Sequence, residues 1–211
     1  MIGGVDMSGG LRVVDWNERN AHKDEGYALF YSNHNGGIYR CEYLPWGLFE
    51  VPINPDNNGS FNLRLPKIPK SLLWQAYSFF GTVYSRYGTE SALQLFWDTD
   101  DKSYYWYVPQ QWAGETTVHY KRNPQLEYRH WLIADMHSHG HFRPYFSCVD
   151  NSDEKGTRLY GVIGNLDTNP QFMLRAGSGG FFVEIDVDDI FGEECNADYE
   201  ELPVNRVVPL L

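Results

Sequence analysis

WLIADM at 131–136 runs directly into HSHGHFRPYFSCVD at 137–150. The first segment is an apolar run interrupted only by Asp135, and it reads as a buried strand. Side chains two apart on a strand share a face, so His137 and His139 at its end present two imidazoles side by side. Two imidazoles suit zinc, copper, nickel or iron. A carboxylate as third ligand, with the fourth position left open, is the arrangement of a catalytic zinc. Asp150 supplies that carboxylate if the loop at 140–146 folds back. Ser147 stands three residues before Asp150, the spacing of a capped helix start, which would hold Asp150 rigidly. Gly140 breaks the strand ahead of His141 and leaves that third imidazole at the rim. Asp135 shares strand parity with His137 and is either an outer hydrogen-bond partner for an imidazole or a polar residue satisfied by backbone.

Upstream, Leu72, Leu73, Ala76, Phe79, Phe80, Val83 and Tyr84 recur at helical spacing and predict a helix over 71–87, with Ser71 as its cap and Gly88 as its stop. Gly81 counts against helix in its interior. Strands are expected at 91–97 and 104–108, joined as a hairpin by the turn at 98–102. Further strands are expected at 159–163, 171–175 and 181–187, and a short helix at 150–155. Residues 26–64 read as a β-meander with turn residues at 33–37 and a loop at 52–60. The Gly-rich, mixed-charge stretch 1–25 reads as a mobile arm or a loosely packed lead-in. The order of elements implies an α/β or α+β fold, a sheet with helices packed on it. The expected organisation is an arm and meander at 1–64, a main domain at 65–190 and a tail at 191–211.

With 211 residues, 42% hydrophobic and 16% aromatic, the chain is globular. A net charge of −11 argues against nucleic-acid binding, because phosphate contacts need an excess of Lys and Arg. Cys41, Cys148 and Cys195 are odd in number and widely spaced, so no disulfide framework or cysteine zinc ribbon follows. No apolar run is long enough to span a bilayer, and residues 1–10 lack the basic-then-apolar order of a signal peptide. A cytoplasmic location is the expectation.

The pattern His-x-His, seven residues, Ser, two residues, Asp resembles the JAMM signature of the JAB/MPN metalloprotease family, including the Ser between the two histidines. The resemblance covers about residues 65–190. It implies a mixed sheet flanked by helices with a layering like that of cytidine deaminases. It also implies one zinc per chain on His137, His139 and Asp150, and a role for Ser147 in orienting water and stabilising an oxyanion. The family places a Glu at the start of the strand after its first long helix, and Glu90 stands there as the implied general base. A Gly commonly follows three residues later in the family, where this chain has Leu93. Glu115 and Glu127 are the alternative carboxylates, both in polar connecting segments.

Members of the family hydrolyse isopeptide bonds to ubiquitin-like proteins or process the C-termini of such proteins. The glycine-rich turns at 161–164 and 176–182 resemble the JAB members of prokaryotic conjugation-like cassettes, among them the PRTRC system protein A group, where E1-like and E2-like proteins are partners. The expectation is a zinc metallopeptidase acting on a ubiquitin-like protein or its conjugate. The alternative is an MPN-type interaction module with a structural zinc. A zinc deaminase lacks support, since neither His-x-Glu nor Pro-Cys-x-x-Cys occurs. RadC-like relatives share the His, Ser and Asp spacing but carry Pro-Ser-Gly after the second His, where this chain has Gly140-His141-Phe142. Cys148 is the candidate nucleophile of a Cys-His hydrolase, although it lies inside the metal motif, where packing is its simpler role.

Overall fold

Alternation of large apolar and polar side chains organises the N-terminal strands. In the computed structural model, which describes residues 6–7, 11–22, 28–32, 37–54, 57–192 and 200–210, the fold is α+β, with three sheets and four α-helices among those residues. The chain clusters into two compact units. One comprises residues 1–66, 148–158 and 175–185, and the other residues 67–147, 159–174 and 186–211.

The first unit carries β1 (Asp6–Met7), β2 (Leu11–Asp15), β3 (Ala28–Ser32), β4 (Ile38–Leu44), β5 (Gly47–Pro52) and β6 (Ser60–Leu63), adjacent in chain order. Strands β3 to β6 are antiparallel, the expected meander. Tyr39, Cys41 and Tyr43 of β4 are buried on alternate positions, as are Phe49 and Val51 of β5. Burial, and after it the Glu50 charge, pushes the Cys41 thiol up from its ordinary pKa, so this cysteine is a core residue. Of the two readings of 1–25, a mobile arm or a loosely packed lead-in, the mobile arm is corrected for the described part. There, β2 pairs in parallel with β3, and a 3-10 segment Trp16–His22 follows. Trp16 packs on the cluster of Val14, Tyr39, Cys41 and Tyr43, and the Arg19 guanidinium lies 4.1 Å from its ring centroid. One half-buried tryptophan outweighs a Gly-rich polar composition, because a packed aromatic removes much apolar surface from water. Most of the predicted turn, 33–36, lies outside the described residues, as does Cys195.

The same unit contains α3 (Cys148–Asp153) and the distal half of β13 (Gln171–Ser178), which pairs with β14 (Phe181–Glu184). β14 lies against β5. A polar knot joins these pieces: the Glu42 carboxylate accepts from the hydroxyls of Thr157 and Ser178, and Arg40 Nε donates to Ser178 Oγ at 2.8 Å.

The second unit is built on α1 (Lys70–Tyr87), whose Leu73, Ala76, Phe79, Phe80 and Val83 are buried at helical spacing. It ends where expected, at Gly88 in the left-handed region (φ 66°), whose N–H donates to Tyr84 O at 2.8 Å. It starts one residue earlier than predicted. Pro69, not Ser71, occupies the cap position, without a side-chain cap, and its fixed φ of −56° suits the entry. Gly81 faces open space, since a Cβ there would meet nothing within 4 Å.

The main sheet of this unit orders the proximal half of β13, β12 (Arg158–Gly164), β11 (Trp131–Ser138), β7 (Ala92–Asp98) and β8 (Ser103–Tyr107). β11 is parallel to β12 and antiparallel to β7, and β7 and β8 form the predicted hairpin. Asp98 ties the hairpin turn by accepting from the N–H groups of Asp100 and Asp101. Residues 92–97 of β7 are all buried, as a strand covered on both faces requires. A parallel pair needs a crossover, and the connection from β11 to β12 carries the whole stretch from His139 to Thr157. A second sheet, β10 (Val118–Tyr120), β9 (Gln111–Ala113) and β15 (Val207–Pro209), went unread in the sequence, as did α2 (Pro124–Arg129). The latter is capped by Asn123, with Pro124 in its first turn. The helix expected at 150–155 forms at Cys148–Asp153, and the strand expected to reach 187 ends at Glu184 ahead of α4 (Val187–Ile190). None of the described helices is long and apolar enough to cross a membrane.

Gly164 ends β12 beneath the loop that follows His139. A Cβ on it would collide with Phe142 O and sit 2.6 Å from Pro144 N, both backbone atoms. Gly164→Ala is therefore expected to destabilise the protein by about 1–3 kcal/mol, the usual cost of overpacking. Gly81→Ala should stabilise by about 0.5–1 kcal/mol, the helix-propensity difference. Denaturant midpoints at constant m-value measure both, and a wild-type midpoint for Gly164→Ala would contradict the close approach.

Candidate metal centre

The two imidazoles owe their placement to strand register. In β11, Asp135 stands across from Gln94 and His137 across from Ala92, while β12 offers Tyr160 and Val162 at the same two levels. Ala92 places only a methyl group across from His137 in that ladder. One step further the ladder changes. Ser138 N donates to Ser91 O at 3.0 Å, but Ser91 N donates to the Ser138 side chain, Oγ, also at 3.0 Å. The serine hydroxyl replaces a backbone carbonyl, and the two strands part beyond it. His139 continues the pairing with β12 only, its N–H donating to Ile163 O at 2.8 Å. Gly140 then turns the chain with φ 55°, a conformation glycine tolerates without strain, and a Cβ there would strike the Tyr84 ring at 2.8 Å.

His137 Nε2 and His139 Nε2 lie 3.1 Å apart. Asp150 sits in the first turn of α3, and one ligand atom from each of His137, His139 and Asp150 lies within 4.8 Å of the others. In a tetrahedral zinc site with nitrogen arms of 2.0–2.1 Å, neighbouring donor atoms stand about 3.3 Å apart. The imidazole pair therefore has the spacing of two zinc donors, and the set of two imidazoles and one carboxylate fits that ion. His139 is buried, whereas His137 and Asp150 are half-buried. The Tyr145 ring meets the His139 ring edge-on at 4.6 Å and is itself 47% exposed, so it shields one side of this imidazole from water.

Ser147 is half-buried and immediately precedes α3, the position of a helix cap. Glu90 is 7% exposed and lies two residues before Ala92 in the segment leading into β7. Its N–H donates to Gly114 O at 2.9 Å. The next residues are held from both sides: by Ser138 Oγ on one, and on the other by the buried Gln111 amide, which accepts from Ala92 N at 2.7 Å and donates to Ala92 O at 3.0 Å. The backbone at Glu90 is thus fixed at the end of β7 where β11 presents its histidines.

The other expected candidates make the following contacts. His141 is exposed, with Nδ1 3.1 Å from the Tyr84 hydroxyl and its ring against Phe142 at 4.1 Å. Asp135 accepts from Gln94 Nε2 at 2.8 Å. Glu115 is exposed in the β9–β10 turn, and Glu127 pairs with Arg122. That hydrogen bond, with the Glu127 charge, raises the Arg122 pKa further. Cys148 is exposed on α3. An open groove of about 580 Å³ lies elsewhere in the second unit, lined by Leu73, Tyr77, Arg143, Pro144, Phe172 and Met173 among others, and holds none of the ligand residues.

Sequence reasoning did not assign Ser138, Gln111 or Tyr145 any role in placing these groups. Ser138 was visible as a motif member, whereas a glutamine whose amide substitutes for a strand partner leaves no local signal. No protein-family model and no curated protein matches the chain.

The Ser138–Ser91 contact has a direct test. Ser138→Ala leaves a buried N–H without its acceptor and should destabilise the fold by about 1–3 kcal/mol. The Ser91 hydroxyl, buried without a partner, should be dispensable, so Ser91→Ala is expected to be neutral or stabilising. Urea denaturation of the two variants, side by side, checks the asymmetry.

Proposed function

We propose that the protein is a zinc-dependent metallopeptidase or isopeptidase of the JAB/MPN type, with one zinc held by His137, His139 and Asp150. The observation that carries this reading is the convergence of those three donors, which stand at the spacing of the JAMM signature, with the imidazole nitrogens 3.1 Å apart. A zinc bound there would polarise a scissile carbonyl and acidify water. Glu90 accepts the proton of the attacking water and returns it to the leaving amine. Its burial and its fixed backbone support that role, because a general base must hold its geometry while it changes charge. The Ser147 hydroxyl donates to the developing oxyanion. Tyr145, edge-on to His139, limits water on that side.

The substrate we propose is the C-terminal tail of a ubiquitin-like protein, free or conjugated, with E1-like and E2-like proteins as partners. This part of the reading rests on the resemblance of the motif and the glycine-rich turns. The acidic charge of −11 supports a protein substrate over nucleic acid. The free thiols of Cys41 and Cys148 suit the reducing cytoplasm.

Purified protein should carry one zinc per chain by elemental analysis and lose it to a chelator. Asp150→Asn should bind zinc measurably more weakly, through the two imidazoles alone. Glu90→Gln should keep zinc, yet cleave a ubiquitin-like fusion about 10²–10⁴-fold more slowly, the usual contribution of a general base. Full activity in Glu90→Gln would remove Glu90 from the mechanism. One zinc with no hydrolysis of any ubiquitin-like fusion would favour the interaction module with a structural metal.

A further inference from the structure

Asp150 belongs to a helix that cannot hold itself in place. α3 has six residues and none of them is buried. A helix that short is not stable in water, and without a buried face no apolar packing fixes its position. A polar clamp does so instead. Arg175 on β13 is 5% exposed, and its guanidinium grips Asn151 in α3 and Glu154 just past its end. Nε donates to Glu154 Oε2 at 2.9 Å, one terminal nitrogen donates to the same oxygen, and the other donates to Asn151 Oδ1 at 2.6 Å. The Phe182 ring backs the guanidinium at 3.6 Å. Both gripped residues adjoin the proposed ligand: Asn151 is the next residue, and Glu154 N donates to the Asp150 carbonyl at 2.9 Å.

We propose that Arg175 is the positioning residue for Asp150, holding the first turn of α3 so that its carboxylate is presented to the metal. This rests on the zinc reading above. The guanidinium suits the task because its planar fork bonds two acceptors at once in fixed geometry, which a lysine ammonium does not reproduce. Burial of the charge is compensated by Glu154, whose side chain is 12% exposed, so the clamp is shielded from solvent and little weakened by salt.

The test is zinc affinity, read by competition with a chromogenic chelator, with circular dichroism as the check on folding. Arg175→Met is expected to weaken zinc binding by about tenfold to a hundredfold, the range for residues that orient a metal ligand, with Arg175→Lys in between. The decisive comparison uses Asp150→Asn as background. There Arg175→Met should change zinc affinity no further, because the carboxylate it positions is gone. Equal losses in the two backgrounds would show a general structural effect and overturn the proposal, as would wild-type affinity in a folded Arg175→Met. If Arg175→Met does not fold, Glu154→Gln loosens the clamp from the helix side and is held to the same two comparisons. A wild-type protein that binds no zinc would overturn the zinc reading and this inference together. Wild-type binding with an indifferent Arg175 would overturn only the inference.

Discussion

The antiparallel register of β11 on β7 is the constraint from which the candidate centre follows. His137 stands across from Ala92 and Asp135 across from Gln94, and a slip of one residue would send both imidazoles to the opposite face. Several features pin that register. β7 is buried on both faces from Ala92 to Trp97, so any slip would move apolar side chains out of packed positions. The ladder carries an irregularity between Leu132 and Ala134, which admits one register and not its neighbours. Ser138 then closes the pairing with its own hydroxyl, where a backbone carbonyl would have continued the ladder. The pairing of the two strands ends at that bond, at the level of His139 on one side and Glu90 on the other.

The polar groups around this end of the sheet carry an energetic cost that a purely structural core would avoid. Thr89, Glu90, Ser91 and Gln94 are all buried within six residues of chain, and the side-chain oxygens of Thr89 and Ser91 find no hydrogen-bond partner. Each such oxygen costs on the order of 1–3 kcal/mol. The Gln111 amide offsets part of this by meeting both backbone groups of Ala92. A strand entrance this polar, backed by a glutamine acting as a surrogate strand, is a local conflict between stability and placement. Such conflicts concentrate at functional sites.

Legibility in the sequence followed the range of the interactions. Strand parity of His137 and His139, the helical period of α1, the glycine stop at Gly88 and the helix start before Asp150 are local, and the residues involved announced them. The hairpin of β7 and β8 was equally plain, because its turn residues lie between two aromatic-rich runs. Strands β9, β10 and β15 are three residues each, too short for a period-two signal, and β15 finds its partner about a hundred residues away in the chain. The N-terminal segment misled by composition: glycines and charges hid the effect of Trp16 packing on Tyr39. Ser71 looked like a cap because serine caps helices, but Pro69 entered first with a backbone already suited to the start.

The same distinction runs through the three proposed ligands. The histidines are held by a β-ladder whose pattern is written in adjacent residues, and their geometry follows once the strand is recognised. Asp150 is held by a guanidinium 25 positions further along the chain, through Asn151 and Glu154. Nothing about Arg175 in its own neighbourhood distinguishes it from an ordinary strand residue with a charged tip. Only its burial, its fork onto α3 and the absence of any apolar anchor on that helix give it meaning. Motif spacing therefore identifies which atoms can meet a metal, and the polar contacts that immobilise them must be read from the fold. A motif match to this chain that kept the two histidines, Ser147 and the aspartate, yet lost the clamp on α3, would keep the signature while loosening the third donor.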